Sequence, residues 1–161
     1  MSETGVDVLL VSVGSDLPYL VGYEAMPLER LTMLVVPRTD EATLVVPRLE
    51  APRVVEQPGV FSLRPWDETE DPVALVAGLI SQPSRVAIGD TMWARFLVDL
   101  LGHWPSSGSG GTHYVRSSEV MSALRMCKDP AEIAALQALA HAELEHQLVA
   151  LVEAAGGAAH Q

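Results

Sequence analysis

The first apolar segment of the chain places the tightest restriction on its fold. Residues 6–13 are almost wholly apolar and rich in β-branched side chains, without the polar alternation of a strand that has one face in water. Such a run is typical of a strand covered by protein on both faces. We therefore expect a sheet with helices packed on each side of it.

The segments that follow alternate between strand length and helix length. Apolar runs at 31–37 and 42–47 are separated by a four-residue polar link, which predicts an antiparallel hairpin. The alternation, with one hairpin among the elements, predicts an α/β fold with a mixed β-sheet flanked by helices. The other predicted strands are 60–64, 86–88 and 113–115, and the other predicted helices are 71–81, 92–101, 118–125 and a short irregular one within 48–57.

A long C-terminal helix is predicted from the signals at its two ends. Asp129 and Glu132 have the spacing of a capping box around Pro130, and the helix then continues to Ala155 before two glycines. A helix of about 26 residues is roughly 39 Å long, which exceeds what a compact domain of this size needs. Its apolar stripe therefore requires a partner, either another domain or a second copy. The stripe comprises Ile133, Leu136, Ala140, Leu144, Leu148, Leu151 and Val152.

Composition narrows the class of protein. The 161 residues are 48% hydrophobic, enough for one globular domain with a real core. Ten basic against 21 acidic residues give a net charge of −11, which disfavours nucleic acid and anionic membranes as partners. The chain has a single cysteine, and it shows neither a membrane-length apolar run nor a signal-peptide pattern. We expect a cytoplasmic protein.

The histidines do not form a recognisable metal site. His141 and His146 are five residues apart, which on a helix separates their directions by about 140°. Glu143 and His146 have the Glu-x-x-His spacing of di-iron bundles, but such bundles need four ligand-bearing helices. We therefore predict solvated side chains and no metal ligand. Surface positions are also expected for His103, His113 and His160.

Other catalytic patterns are weak. Cys127 lies between two helices beside Lys128, which could lower its pKa, but the simpler expectation is a buried or half-buried structural cysteine. The Ser/Gly-rich segment 106–111 lacks the lysine and the strand-to-helix order of a phosphate loop, and is predicted to be a linker. Asp7 and Asp90 lie at strand ends and are candidate acids for a metal-dependent nuclease, which the negative charge disfavours.

Two tyrosines and an arginine between the first two predicted strands form a candidate binding site. Tyr19 and Tyr23 follow the first strand, and Arg30 begins the next one. These side chains could bind a carboxylate or present a binding edge. In the alternative interpretation the tyrosines pack a loop and Arg30 pairs with Glu24 or Glu29.

Three segments together resemble the N-terminal domain of the creatinase/prolidase family. They are the strand at 7–13, the motif Asp-Leu-Pro-Tyr-Leu-Val-Gly-Tyr at 16–23, and the segment 124–136 with its Arg-x-x-Lys-x-x-x-Glu-Ile spacing. In the family the second motif has Asn where this chain has Asp16, and Thr where it has Val21. The domain precedes the catalytic pita-bread domain in Xaa-Pro dipeptidases, aminopeptidase P and creatinase.

The resemblance implies a fold with an RNase H-like motif and a division into two parts. Residues 1–128 would form the creatinase/prolidase N-terminal-like domain, and 129–161 a connecting helix and tail toward a catalytic domain absent from this chain. The family hydrolyses the bond before proline with two divalent metal ions, held by carboxylates and a histidine of that catalytic domain. We therefore expect no catalytic residue, metal ligand or cofactor in this chain, and no activity from it alone.

The resemblance also implies a role in assembly. In relatives this domain helps to form a homodimer and sends residues into the active site of the neighbouring subunit. Arg30, Tyr19 and Tyr23 would then bind a proline-containing peptide in trans. Two other functions stay open at this point: a free-standing ligand-binding or regulatory module, and an RNase H-like metal-dependent nuclease.

Overall fold

A six-stranded mixed sheet lies at the centre of the fold. The computed structural model describes residues 1, 4–106 and 110–141. The strands are β1 (Val8–Ser12), β2 (Met33–Pro37), β3 (Ala42–Pro47), β4 (Phe61–Trp66), β5 (Arg85–Ile88) and β6 (His113–Arg116). Their order is β4-β3-β2-β1-β5-β6. β2 is antiparallel to β1 and β3, and the other neighbours are parallel. The predicted mixed sheet and hairpin are confirmed.

Helices cover both faces of this sheet. They are α1 (Asp16–Val21), α2 (Pro72–Leu79), α3 (Ala94–His103) and α4 (Ser118–Met126), with a 3₁₀ turn at Ala51–Arg53. Residues 130–141 are also helical. Within the part of the chain that the structure describes, none of the helices has the length and apolar character to cross a membrane.

The first strand explains why both faces are covered. All five residues of β1 are buried. Leu9 and Val11 pack in one core cluster with Leu17 of α1, whereas Leu10 packs in a second cluster with Phe96 of α3. Because successive side chains point to opposite faces, a wholly apolar strand needs two cores, as the sequence predicted. Each fully buried aliphatic side chain contributes about 1.5–3 kcal/mol.

The segment after β1 differs from the prediction. Residues 16–21 form the short helix α1, where the sequence analysis expected a loop. Gly22 ends the helix with a left-handed φ of 68°, and its amide donates to the Pro18 carbonyl at 2.9 Å. A glycine in this conformation is the usual C-terminal cap. A helix this short is below the length at which apolar periodicity can be recognised.

The chain divides into two compact units, and the boundary lies between Ala123 and Leu124. In the second unit the predicted capping box is confirmed: the Glu132 amide donates to Asp129 Oδ1 at 2.8 Å, and the Asp129 amide donates to Glu132 Oε2 at 2.9 Å. Of the predicted stripe, Ile133 and Leu136 are 44% and 52% exposed. The predicted continuation to Ala155 lies outside the described residues.

Candidate functional site

The irregular segment between α1 and β2 lines a small recess. Its volume is about 30 Å³, enough for one or two water molecules. Two of the three predicted substrate residues, Tyr23 and Arg30, lie on its wall. The other lining residues are Ala25, Met26, Leu28, Thr32, Pro47 and Glu50.

Tyr23 is fixed by burial and by a carboxylate. The residue is 6% exposed, and its hydroxyl donates to Glu50 Oε2 at 3.1 Å. Arg53 Nη1 donates to the same oxygen at 2.7 Å. Burial first, and then the hydrogen bond to Glu50, raise the pKa of the Tyr23 hydroxyl above its ordinary value. The hydroxyl is therefore a protonated donor near neutral pH.

Arg30 forms an ion pair with a residue that the sequence analysis did not suggest. Its Nη2 atom lies 2.7 Å from Glu68 Oε1, so the expected pairing with Glu24 or Glu29 is wrong. The two side chains are 39% and 69% exposed, and an ion pair so open to water contributes about 0–1 kcal/mol. Exchanging Glu68 for a ligand carboxylate would therefore cost little. Arg30 also precedes β2 by three positions, whereas the sequence analysis placed it at the strand's start.

Tyr19 is separated from this pair. It lies on α1, is 40% exposed, and is not among the residues that line the recess. The structure thus brings together Tyr23 and Arg30, and it leaves Tyr19 on the neighbouring helix.

Glu50 is the residue of this recess that the sequence analysis missed. It precedes the 3₁₀ turn after β3, far along the chain from Tyr23, and its side chain does not cap that turn. The only local signal is a carboxylate before an Ala-Pro-Arg turn, and that pattern does not indicate which strand end the turn will face. Only the packing of the turn beside Tyr23 gives the carboxylate its place in the site.

The acids proposed for a nuclease lie apart. Asp7 precedes β1 and Asp90 follows β5, and these strands run parallel with Val8 beside Val86. The two carboxylates therefore lie at opposite ends of the sheet. No three His, Cys, Asp or Glu side chains converge to hold a metal ion within the residues that the structure describes.

Each of these carboxylates has its own basic partner. Asp7 pairs with Arg38 and also accepts hydrogen bonds from the amides of Ser84 and Arg85, at 2.8 and 3.0 Å. Asp90 Oδ2 lies 2.6 Å from Arg116 Nη2, and the hydrogen bond from Arg116 holds the pKa of Asp90 below its ordinary value. Asp7 thereby links the start of β1 to the residues that begin β5, whereas Asp90 is held in an exposed ion pair.

Cys127 is exposed, so the expectation of a buried or half-buried cysteine is wrong. The residue lies in the short link between α4 and the helix at 130–141, where no core forms around it. His103 and His113 are exposed, as predicted, and His141 is exposed as well. His146, His160 and the centre of the predicted linker lie outside the described residues.

Most of the chain matches one known protein family. The model of the creatinase/prolidase N-terminal domain matches residues 1–127. This chain belongs to that family. The resemblance inferred from the three sequence segments is thereby confirmed, and so is the fold that it implied.

The family's relatives in the comparison are dipeptidases. The probable dipeptidase PepE of Mycobacterium bovis is 32% identical over 140 residues, which cover 84% of this chain and 36% of that protein. The crystal structure of dipeptidase PepE from Mycobacterium ulcerans is 34% identical, with a TM-score of 0.70 over 84% of this chain and 36% of that one. Recombinant prolidase from Thermococcus sibiricus is 27% identical, with a TM-score of 0.70 over 83% and 36%. The chain thus spans about a third of each of these relatives.

Proposed function

We propose that this chain acts as the non-catalytic N-terminal domain of a dipeptidase that cleaves next to proline. The family match over residues 1–127 carries the proposal, together with dipeptidase relatives of which the chain spans 36%. Two divalent metal ions would perform the hydrolysis in a catalytic domain. The described residues offer no converging donor set for such ions, so we assign no metal chemistry to them.

The recess gives this domain its role in substrate binding. Arg30 would exchange Glu68 for the carboxylate of a proline-containing peptide bound in the partner subunit, since guanidinium and carboxylate form paired, charge-assisted hydrogen bonds. Tyr23, held by Glu50, would support the wall behind it. Tyr19 would contact the peptide from α1, outside the recess.

Exposed apolar side chains beside the recess support a homodimer. Met26 and Leu28 line the recess and are 54% and 44% exposed, and Tyr19 lies nearby along the chain. Methionine and tyrosine are enriched at protein interfaces, where such side chains lose contact with water. We place the partner subunit against this surface. The exposed thiol of Cys127 further supports a reducing, cytoplasmic location.

A domain exchange tests the substrate role. Residues 1–127 of this chain would replace the matching domain of Thermococcus sibiricus prolidase, and hydrolysis of a dipeptide ending in proline would be followed. We expect an active enzyme in which Arg30→Ala raises KM by about tenfold and changes kcat little, because a lost ground-state contact weakens binding uniformly. A dipeptide with an amidated C-terminus should show almost no change in KM.

Arg48→Ala is the matched control, because Arg48 is also an exposed arginine paired with a carboxylate, on Asp67. It should leave KM for both substrates unaltered. An equal rise in KM for the free and amidated peptides on Arg30→Ala would contradict the proposed carboxylate contact. An assembled, folded exchange enzyme without peptidase activity would contradict the proposed function of the domain.

A further inference from the structure

The connections around β5 create two places where a crevice can form. β5 lies between β1 and β6, parallel to both. The chain leaves β1 and β6 for one face of the sheet, where Leu17 of α1 and Val120 of α4 share a core cluster. It leaves β5 for the other face, where Phe96 of α3 is buried. At such reversals the carboxyl ends of neighbouring strands part, and open α/β sheets bind ligands there.

The reversal between β1 and β5 is closed. A Cβ atom added to Gly14 would lie 2.4 Å from Thr91 Oγ1, so the two connections are already in contact. The Thr91 hydroxyl donates to the Val13 carbonyl at 2.7 Å, and the Gly89 amide donates to the Leu10 carbonyl at 2.8 Å. These contacts fill the space between the two strand ends.

The reversal between β5 and β6 is open. It holds a shallow crevice, open to solvent, whose volume of about 420 Å³ is large enough for a small molecule. Most of the wall is apolar, and the charged groups are one aspartate and one arginine. The lining residues are Ile88, Gly89, Asp90, Leu97, Tyr114, Val115 and Arg116.

The two charged groups lie side by side. Arg116 Nη2 lies 2.6 Å from Asp90 Oδ2, and Nε lies 3.3 Å from Oδ1. Their side chains are 76% and 44% exposed, so this ion pair contributes little stability and opens at little cost. The Tyr114 hydroxyl already donates to the Trp104 carbonyl at 2.6 Å. The tyrosine therefore offers its ring to the crevice.

We propose that this crevice binds a free α-amino acid with an apolar side chain. The carboxylate would pair with Arg116 and the ammonium with Asp90, while the side chain fills the space beside Leu97 and Ile88. An α-amino acid carries its ammonium and carboxylate groups on the same carbon atom. This close spacing matches an aspartate and an arginine that are in direct contact. A dipeptide separates its charged ends by a further residue, about 3.5 Å of chain, and fits this pair less well.

The site is independent of the proposed peptidase role. It uses residues from β5, α3 and β6, none of which lines the recess that holds Tyr23 and Arg30. Failure of the prolidase exchange experiment would therefore not count against amino-acid binding in this crevice. Failure of amino-acid binding would likewise not count against the proposed peptidase role.

Titration of the ¹⁵N-labelled 161-residue chain with L-leucine tests the assignment by NMR. We expect saturable shifts at the amides of Gly89, Asp90 and Leu97 and around Arg116. N-acetyl-leucine lacks the ammonium and leucine amide lacks the carboxylate, so each should bind about tenfold more weakly, the effect of one lost charge-assisted contact. Glycine, which has no side chain to fill the crevice, should bind more weakly still.

Two variants and a matched control complete the test. Arg116→Gln and Asp90→Asn should each weaken leucine binding by about tenfold. Arg48→Gln removes a similarly exposed ion pair, with Asp67, away from the crevice, and should leave the affinity unchanged. The absence of saturable shifts, equal affinity for leucine and its two capped forms, or equal effects of Arg116→Gln and Arg48→Gln would overturn the proposal. The capped ligands decide it on the unmodified protein even if a variant fails to fold.

Discussion

At the scale of single residues, Asp67 shows how exposed charges give the fold a pH dependence. Its carboxylate pairs with Arg48, whose Nη2 donates to Oδ2 at 2.8 Å. The hydrogen bond from Arg48 is the main cause of a lowered pKa for Asp67, below the ordinary value of 3.8. A carboxyl group with a depressed folded-state pKa stabilises the protein above its unfolded pKa, and this contribution is lost as the pH falls through the folded pKa.

We therefore expect Asp67→Asn to lower Tm near neutral pH and to have no effect in strong acid. Thermal unfolding of both proteins, followed by circular dichroism from about pH 7 down to about pH 2, would show the two curves converging below the unfolded pKa. Asp40→Asn, at an exposed position in the turn between β2 and β3, is the control and should give a small, unrelated difference. A Tm difference that persists undiminished at the acid end would refute this pH dependence.

The residues of the recess show what a sequence can and cannot predict at this scale. The sequence places Tyr23 and Arg30 in one short stretch of chain, and the structure puts both on the wall of the recess. The partners that set their chemistry, Glu50 and Glu68, come from other loops, and only tertiary packing brings them near. Local patterns carry information about neighbours along the chain, so they suggested Glu24 or Glu29 for Arg30 and could not identify Glu68.

At the scale of elements, α2 has the clearest stabilising cap of the first unit. Asp71 Oδ1 accepts hydrogen bonds from the amides of Val73 at 2.9 Å and Ala74 at 3.1 Å, and Pro72 occupies the first helical position. These contacts satisfy amides that have no partner within the helix. Val76 of the same helix is fully buried, so the capped helix is tied to the core.

Replacing Asp71 by Ala should cost about 1 kcal/mol of unfolding free energy, the usual contribution of an N-terminal cap. Urea unfolding measures it, and Asp71→Asn should retain most of the stability because the amide oxygen also accepts. Asp99→Ala, an exposed position inside α3, serves as the matched control and should be neutral or slightly stabilising, since alanine favours helices. Equal losses of unfolding free energy for Asp71→Ala and Asp99→Ala would show that the cap does not stabilise the fold.

Elements with strong local signals were predicted well, and those without were not. The buried strands and the starts of α2 and of the helix at 130–141 carry β-branched runs or capping residues, which act over a few positions. The helix α1 has only six residues, too few for a period to show. The parallel pairing of β4 with β3 depends on a long connection, and no local pattern records it.

At the scale of the whole molecule, the exposed stripe of the second unit predicts self-association. Ile133 and Leu136 of the predicted stripe are 44% and 52% exposed, and Leu139, which lies beside them on the helix, is 68% exposed. Clustered apolar surface of this kind is covered in most proteins, and a second copy of the same helix offers a matching stripe. Sedimentation of the isolated 161-residue chain should therefore show reversible dimers held by this helix, a contact separate from the surface beside the recess that we assign to the homodimer of the peptidase. Leu136→Glu should raise the dissociation constant by about tenfold, since it places a charge in an apolar contact. Ala138→Glu, on the opposite side of the helix, should leave the dissociation constant unchanged. A strictly monomeric chain at high concentration would contradict the prediction.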